Sequence, residues 1–329
     1  MSFFAVLLAL LIEQLKPLPR GNWVFGALVA WMRWTGLNFN AGRDRHAWVV
    51  WGVTVVLPAI VAFGIYFAIA RFSLILALAW NVCVLYLTLG FRQFSHYFTD
   101  IRDALEQGDD ATARQRLAEW RHLDASELPR TELLRHVLEH SLLAAHRHVF
   151  GVFFWFVLLS AFGLGPAGAV LYRLSEFASR YWAYKSRTVG VPTNDRLMLL
   201  SRQLFSLIDR VPARMTAFGF AVVGNFEEAV TCWRRDASLW HYQNEGIILA
   251  AAAGAVGVRL GGAAPPGVTP DRSQTLEGGA SQDAVEAQGS TPGAEPQLGH
   301  LRSVVGLVWR SVVLWMLLLA LLSLANLVG

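Results

Sequence analysis

The chain has 329 residues, of which 54% are hydrophobic and only 16% charged, with a formal net charge of +4. Its mean hydropathy of +0.40 exceeds the usage of ordinary water-soluble domains, so much of the chain is expected in lipid. The two cysteines, Cys83 and Cys232, form no spaced pair and point to neither a disulfide framework nor a zinc knot. The small basic excess is almost all arginine, Lys16 and Lys185 being the only lysines; it suits anionic head groups or a phosphate-bearing ligand, not a nucleic-acid footprint.

Residues 1–45 open with "MSFFAVLLALLIEQLKPLPR", which has no basic leader and no small-residue cleavage site. It predicts a short retained helix followed by a basic loop. His46–Ala70 and 72–91 are each long enough to cross a hydrocarbon core of about 30 Å, and with only Arg71 between them they predict a transmembrane hairpin over 46–91. Pro58 is tolerable there, because neighbouring helices can satisfy the carbonyl it frees.

Residues 92–148 turn to mixed charge with helical spacing, which predicts a polar, water-facing helical segment. Leu105, Ala113, Leu117 and Trp120 make its buried face, Gly108-Asp109 ends one helix and caps the next, and Pro129 starts another.

Residues 149–262 form a membrane or interfacial helical core. Its first part, 149–174, is interrupted by "GLGPAG" after about half the length a span requires. Either this is one kinked span, or a re-entrant helix pair turning at 163–168. The second keeps the arginine-rich stretches on one side, as the positive-inside tendency favours. Residues 211–233 have a short apolar centre and read as interfacial or buried. In "QNEGIILAAAAGAVGVRLGG" the side chains are too small for a lone anchor but permit close backbone approach, so this is a packing helix. Residues 263–300 are rich in Gly, Pro, Ser and Thr and predict a disordered linker. Residues 301–329 hold a final span, with Arg310 snorkelling to an interface. The fold class is all-α: an integral membrane helical bundle with short or re-entrant helices and a polar cytoplasmic helical segment.

No phosphate-binding loop, serine elbow, HExxH or CxxC occurs. Four clusters carry polar groups instead. In "ELLRHVLEHSLLAAHRH", Glu132, His136 and His140 share a helical face beside Glu139; metal ligation would need donors from other helices, and a hydrogen-bonded interfacial helix fits better. "GFRQFSHYF" sets Arg92 at a membrane exit, where it anchors at head groups or meets an anion. In "IDRVPARM", a proline ahead of a helix would leave Asp209 for capping and Arg214 for a phosphate or carboxylate. "WRRDASLWHYQNEG" collects Arg234, Asn244 and Glu245 before a helix N-terminus, either an anion site or a solvated turn.

In this order, "LEQGDDATARQRLAEWR", "GLGPAGAVLYR", "VPARMTA", "WRRDA" and "AAAAGAVGVRLGG" resemble successive blocks of the CobD/CbiB family of cobalamin biosynthesis, over roughly 85–262. Glu139 falls on the family's glutamate, and Tyr184 and Lys185 are retained. Family aspartates are replaced by Ala178, Phe205 and Ser206, and the N-terminal Asp-Pro and His-Pro-Val elements appear as Glu13 and "NWVFG". Several of these departures, with "IEQLKPL", "FFWFVLL" and "VVGNFEEAVTCW", are similar to the AmpE family of inner-membrane proteins linked to β-lactamase induction. The CobD/CbiB resemblance implies a multi-pass protein of the bacterial inner membrane, adenosylcobinamide(-phosphate) synthase-like, that joins aminopropanol or its phosphate to cobyric acid, an amide-forming ligase chemistry with ATP and Mg²⁺. It implies Glu139 and Asp209 as acids, and Arg92, Arg214, Arg234, Arg259, Lys185 and Asn244 as contacts of a corrinoid or other anionic small molecule. No resident metal and no nucleic acid is expected. The AmpE resemblance implies a non-enzymatic signalling role instead.

Overall fold

The computed structural model describes residues 2–16, 23–39, 44–121, 125–126, 128–188, 195–262 and 290–328. Among these, every regular element is a helix: α1 (Ser2–Leu15), α2 (Trp23–Phe39), α3 (Asp44–Trp51), α4 (Leu57–Ala70), α5 (Leu74–Thr88), α6 (Phe91–Glu106), α7 (Asp110–Arg121), α8 (Arg130–Ala145), α9 (Gly151–Ala161), α10 (Ala167–Thr188), α11 (Asp195–Val223), α12 (Phe226–Asp236), α13 (Gln243–Val256) and α14 (Leu298–Val328). Among the described residues, three continuous helices are long and apolar enough to cross a bilayer: His46–Ala70, Arg130–Ala161 and Leu298–Ala325. The chain is an all-α membrane protein, as its composition predicts. Most of the stretch expected as a linker, 263–289, lies outside the described residues. The chain divides into two compact units, one of Met1–Gln93, Arg147–Pro212 and Leu319–Gly329, the other of Phe94–His146 and Ala213–Leu318.

In the first unit, α1 lays Ala5, Val6 and Ala9, all fully buried, along α5. Pro58 has no N–H to donate, and the helix widens into a π-turn at Gly52–Val56 just before it. The chain reverses at Arg71, Ser73 caps α5 by accepting from Leu76 N at 3.4 Å, and Trp80 Nε1 donates to Ala62 O at 3.1 Å across the hairpin. The second arm is shorter than expected. Leu89 turns to an extended conformation ahead of Gly90, so α5 has 15 residues, about 22 Å of helix against a core of about 30 Å.

Gly163 and Gly165, both at positive φ, reverse the chain between α9 and α10. Residues 149–174 are therefore a helical hairpin and not one kinked helix. The two arms touch backbone to backbone: a Cβ on Gly168 would stand 1.9 Å from Trp155 O. The arm entering the turn is longer than the sequence pattern suggests. A π-turn at His146–Phe150 joins α8 to α9, giving one helix of 32 residues, Arg130–Ala161. The polar "HRH" triplet at 146–148 had marked a border there. The helix passes through it because His146 is buried, its Nδ1 2.9 Å from Thr216 Oγ1. A second layer of this unit packs Met32, Trp51, Val55, Phe177, Trp182 and Leu200 together.

In the second unit, Gly108 at φ +79° ends α6, and Asp109 Oδ1 accepts from Thr112 N at 3.0 Å to start the next helix. Hydrogen bonds from the Thr112 hydroxyl and then its backbone N–H hold the Asp109 carboxyl below its usual range. Leu105, Ala113 and Leu117 are buried as predicted, while Trp120 is half-buried, stacked on Tyr97. The reading of "IDRVPARM" needs correction. Pro212 does not precede a helix; it lies inside α11, so Asp209 caps nothing. Asn225 is the cap that ends this run, accepting from Glu228 N at 3.3 Å at the start of α12.

The small-residue segment is the packing helix its composition predicts. Every residue of α13 from Gly246 to Gly254 is buried, against α12 and α8. A Cβ on Gly254 would lie 2.4 Å from Glu228 O, and one on Gly246 2.4 Å from Ala237 O. Glycine is what lets these backbones meet.

Candidate functional site

The loop leaving α13 is held by hydrogen bonds along its length. Gly257 closes the helix in the left-handed conformation, its N–H donating to Ala253 O at 2.8 Å. Beyond it the side chains alternate: Val258 and Leu260 are fully buried, and Arg259 between them is exposed. The three amides that follow are each taken by a different partner. Arg259 N donates to Ala294 O at 2.8 Å, Leu260 N to Thr291 Oγ1 at 2.8 Å, and Gly261 N to Glu139 Oε1 at 2.8 Å. Thr291 N donates back to Leu260 O at 2.9 Å, and two β-bridges, Val258 with Ala294 and Gly261 with Ser290, complete a neck.

Beneath this loop, α8 presents a charged face at helical spacing. Arg135, 3% exposed, pairs with Glu132 and lies 3.7 Å from Glu139 Oε1. Its guanidinium also reaches the loop, at 3.5 Å from where a Cβ on Gly262 would be. His136 Nδ1 is 2.7 Å from Arg121 Nη1; because a guanidinium only donates, this ring nitrogen accepts. His140 sets its ring edge-on to Trp120 at 4.4 Å. The histidine face expected as a hydrogen-bonded helix is engaged by arginine and tryptophan.

In the first unit, Tyr172 Oη donates to Asp209 Oδ1 at 2.8 Å, both groups buried. Glu176, 1% exposed, lies between Arg173, at 2.8 Å, and Arg180 on the same helix. Burial works against its charged form, but Arg180, Arg173 and Arg147 outweigh it and hold the carboxyl below its usual range.

The structure brings Glu139 and Arg259 into one neighbourhood, joined through the Gly261 amide. Arg234 is exposed on α12 beside Arg235, whose Nε donates to Asp236 at 2.8 Å. Arg214 is half-buried on α11, and Asn244 is 9% exposed in the first turn of α13. Arg92 and Lys185 lie on α6 and α10, with side chains outside the described residues. Sequence reasoning passed over Arg135, Thr291, Tyr172 and Glu176. Two signals were present: Glu132-Arg135-Glu139 and Arg173-Glu176-Arg180 both repeat opposite charges at three- and four-residue steps. Nothing in the sequence pointed to Thr291, whose partner is 31 residues away.

Mg²⁺ beside a nucleotide is commonly held through one or two carboxylates and the phosphates. Among the described residues no group of three or more His, Cys, Asp or Glu side chains could hold a metal. The two expected acids are already committed, Glu139 to Gly261 N and Asp209 to Tyr172. These side chains do not fit a metal site, and no reaction step is assigned to one.

A helical membrane framework whose small-residue helix ends in a pinned, arginine-bearing glycine loop defines the class. A family model described as "CobD/Cbib protein" matches residues 2–287. The chain belongs to that family. It is 31% identical to the cobalamin biosynthesis protein CobD of Stutzerimonas stutzeri (strain A1501), over 96% of each chain. It is 34% identical to that of Chromobacterium violaceum over 60% of each chain, and 25% identical to that of Leptospira interrogans over 78% of this chain and 80% of the relative. No solved structure matches.

Proposed function

We propose that this chain serves cobalamin biosynthesis as a multi-pass protein of a bacterial inner membrane, joining aminopropanol or its phosphate to a carboxylate of cobyric acid. The observation that carries the reading is the ordered 257–262 loop, which exposes Arg259 while burying the residues on either side of it. The backbone amides of 259–261 all have protein acceptors, so an anion met by this loop is met by the guanidinium and not by a backbone nest.

In the proposed reaction the amine nitrogen attacks the activated carboxyl carbon. A C–N bond forms, the bond to the activating group breaks, and a proton leaves the nitrogen. Negative charge grows on the carboxyl oxygen and on the leaving group, and arginines placed beside it stabilise it. Arg259 takes that role first, with Arg234 and Arg214 as further anion contacts. ATP and Mg²⁺ stay with the family resemblance and are assigned no residue. Cobyric acid added to detergent-solubilised protein tests the reading: a ligand that binds only the native state raises Tm with its concentration. Arg259→Ala should weaken the rise. A Tm indifferent to cobyric acid at every concentration contradicts it.

A further inference from the structure

We infer that Glu139 is the anchor that sets the Arg259 loop, and not a group that handles a proton or a metal in the reaction; the functional half of this inference rests on the reading just proposed. Glu139 is 14% exposed at its side chain, and its Oε1 faces protein on two sides. The Gly261 N–H donates to it at 2.8 Å, and Arg135 Nη1 lies at 3.7 Å. Arg135 is itself fixed by Glu132 one turn away. The series Glu132, Arg135, Glu139, Gly261 therefore runs from the interior of α8 to the loop two residues beyond Arg259.

The other side of the loop is tied by Thr291 and Ala294. Those two bonds fix residues 259 and 260; Gly261 is bridged to Ser290 on the same side, and Glu139 takes its N–H from the other. With Gly261 and Gly262 both at positive φ, the chain past Leu260 has little local stiffness of its own. The carboxylate adds a side-chain hold on Gly261 to the backbone bridge with Ser290. What the Gly261 amide requires is an acceptor at the reach of a four-atom side chain, which a neutral amide oxygen also supplies, with a weaker bond than a carboxylate gives. A group moving a proton or holding a cation requires ionisable oxygen instead.

Two conservative variants separate these roles. Glu139→Gln keeps the reach and an acceptor but cannot exchange a proton, while Glu139→Asp keeps the acid and loses one methylene of reach. Hydrogen–deuterium exchange over 257–262 in detergent should give protection for Glu139→Gln closer to wild type than to Glu139→Asp, and at least about tenfold faster exchange than wild type for Glu139→Asp, which loses the bond altogether. Trypsin cleavage after Arg259 should accelerate in the same order. Cobalamin-dependent growth of a cobinamide-synthesis mutant should follow, with Glu139→Gln near wild type and Glu139→Asp needing more cobyric acid for half-maximal growth. Loss of protection in Glu139→Gln overturns the anchor. So does a protected Glu139→Gln that abolishes growth where Glu139→Asp supports it. If the wild-type chain supports no growth, the proposed reaction fails while the exchange order still decides the anchor.

Discussion

The hydroxyl of Tyr172 reaches Asp209 at 2.8 Å because Gly151 leaves it room: a Cβ there would stand 2.1 Å from the tyrosine Cζ. Helices α10 and α11 thus share one buried polar contact, in space that α9 leaves open. Tyr172→Phe removes a donor from a carboxylate that is 5% exposed, and should cost about 1–3 kcal/mol. Asp209→Asn keeps an acceptor and should cost less. Thermal unfolding in one detergent measures both, and a Tyr172→Phe protein as stable as wild type would show that the hydroxyl contributes nothing.

The α9–α10 turn gives a second expectation. Gly168→Ala forces a methyl against the Trp155 carbonyl, and such overpacking typically costs about 1–3 kcal/mol or more. Gly64→Ala, which meets open space inside α4, should instead be neutral or slightly stabilising. Monodispersity and Tm of the two proteins should diverge; if both behave alike, the hairpin contact is looser than described.

Acid sensitivity should concentrate at Glu176. Burial opposes its charge, but Arg180, Arg173 and Arg147 depress its pKa below the ordinary 4.5. A depressed carboxyl stabilises the fold fully above the unfolded value, and this contribution is lost as pH falls from about 4.5 through the lower folded value. Wild-type Tm should therefore drop in that window more steeply than that of Glu176→Gln. Superimposable acid limbs would remove Glu176 as the cause.

The neck below Arg259 predicts tolerance on one side and sensitivity on the other. Thr291→Val deletes the acceptor of Leu260 N at a site 2% exposed and should cost about 1–3 kcal/mol. Replacing residues 263–289 by a short Gly-Ser linker should leave Tm within a few degrees, since residues 258–261 and 290–294 are joined to each other directly. A large loss on replacement would mean that the neck depends on the segment it closes.

Much of this architecture was legible in the sequence because the responsible forces are local. Apolar length marks α4 and α14, Gly108-Asp109 marks a helix boundary, and glycine–alanine density marks α13 as a packing helix. The misreadings occur where tertiary burial overrides a local signal. Pro212 continues α11 instead of starting it, and His146 is absorbed into a helix because Thr216 meets its ring. Ala178 makes similar sense in retrospect. It is fully buried in an apolar cluster with Trp51 and Trp182, where the aspartate that the resemblance led one to expect would be a buried charge. In the candidate site, helical charge spacing was readable, but the Glu139–Gly261 bond spans 122 residues and follows only from the fold.

Expression in a cobinamide-synthesis mutant, with membrane insertion verified and cobalamin-dependent growth scored, tests the central claim most directly. Growth restored by the wild-type chain and lost with Arg259→Glu is the predicted result. Correctly inserted protein that restores no growth would contradict the synthase reading.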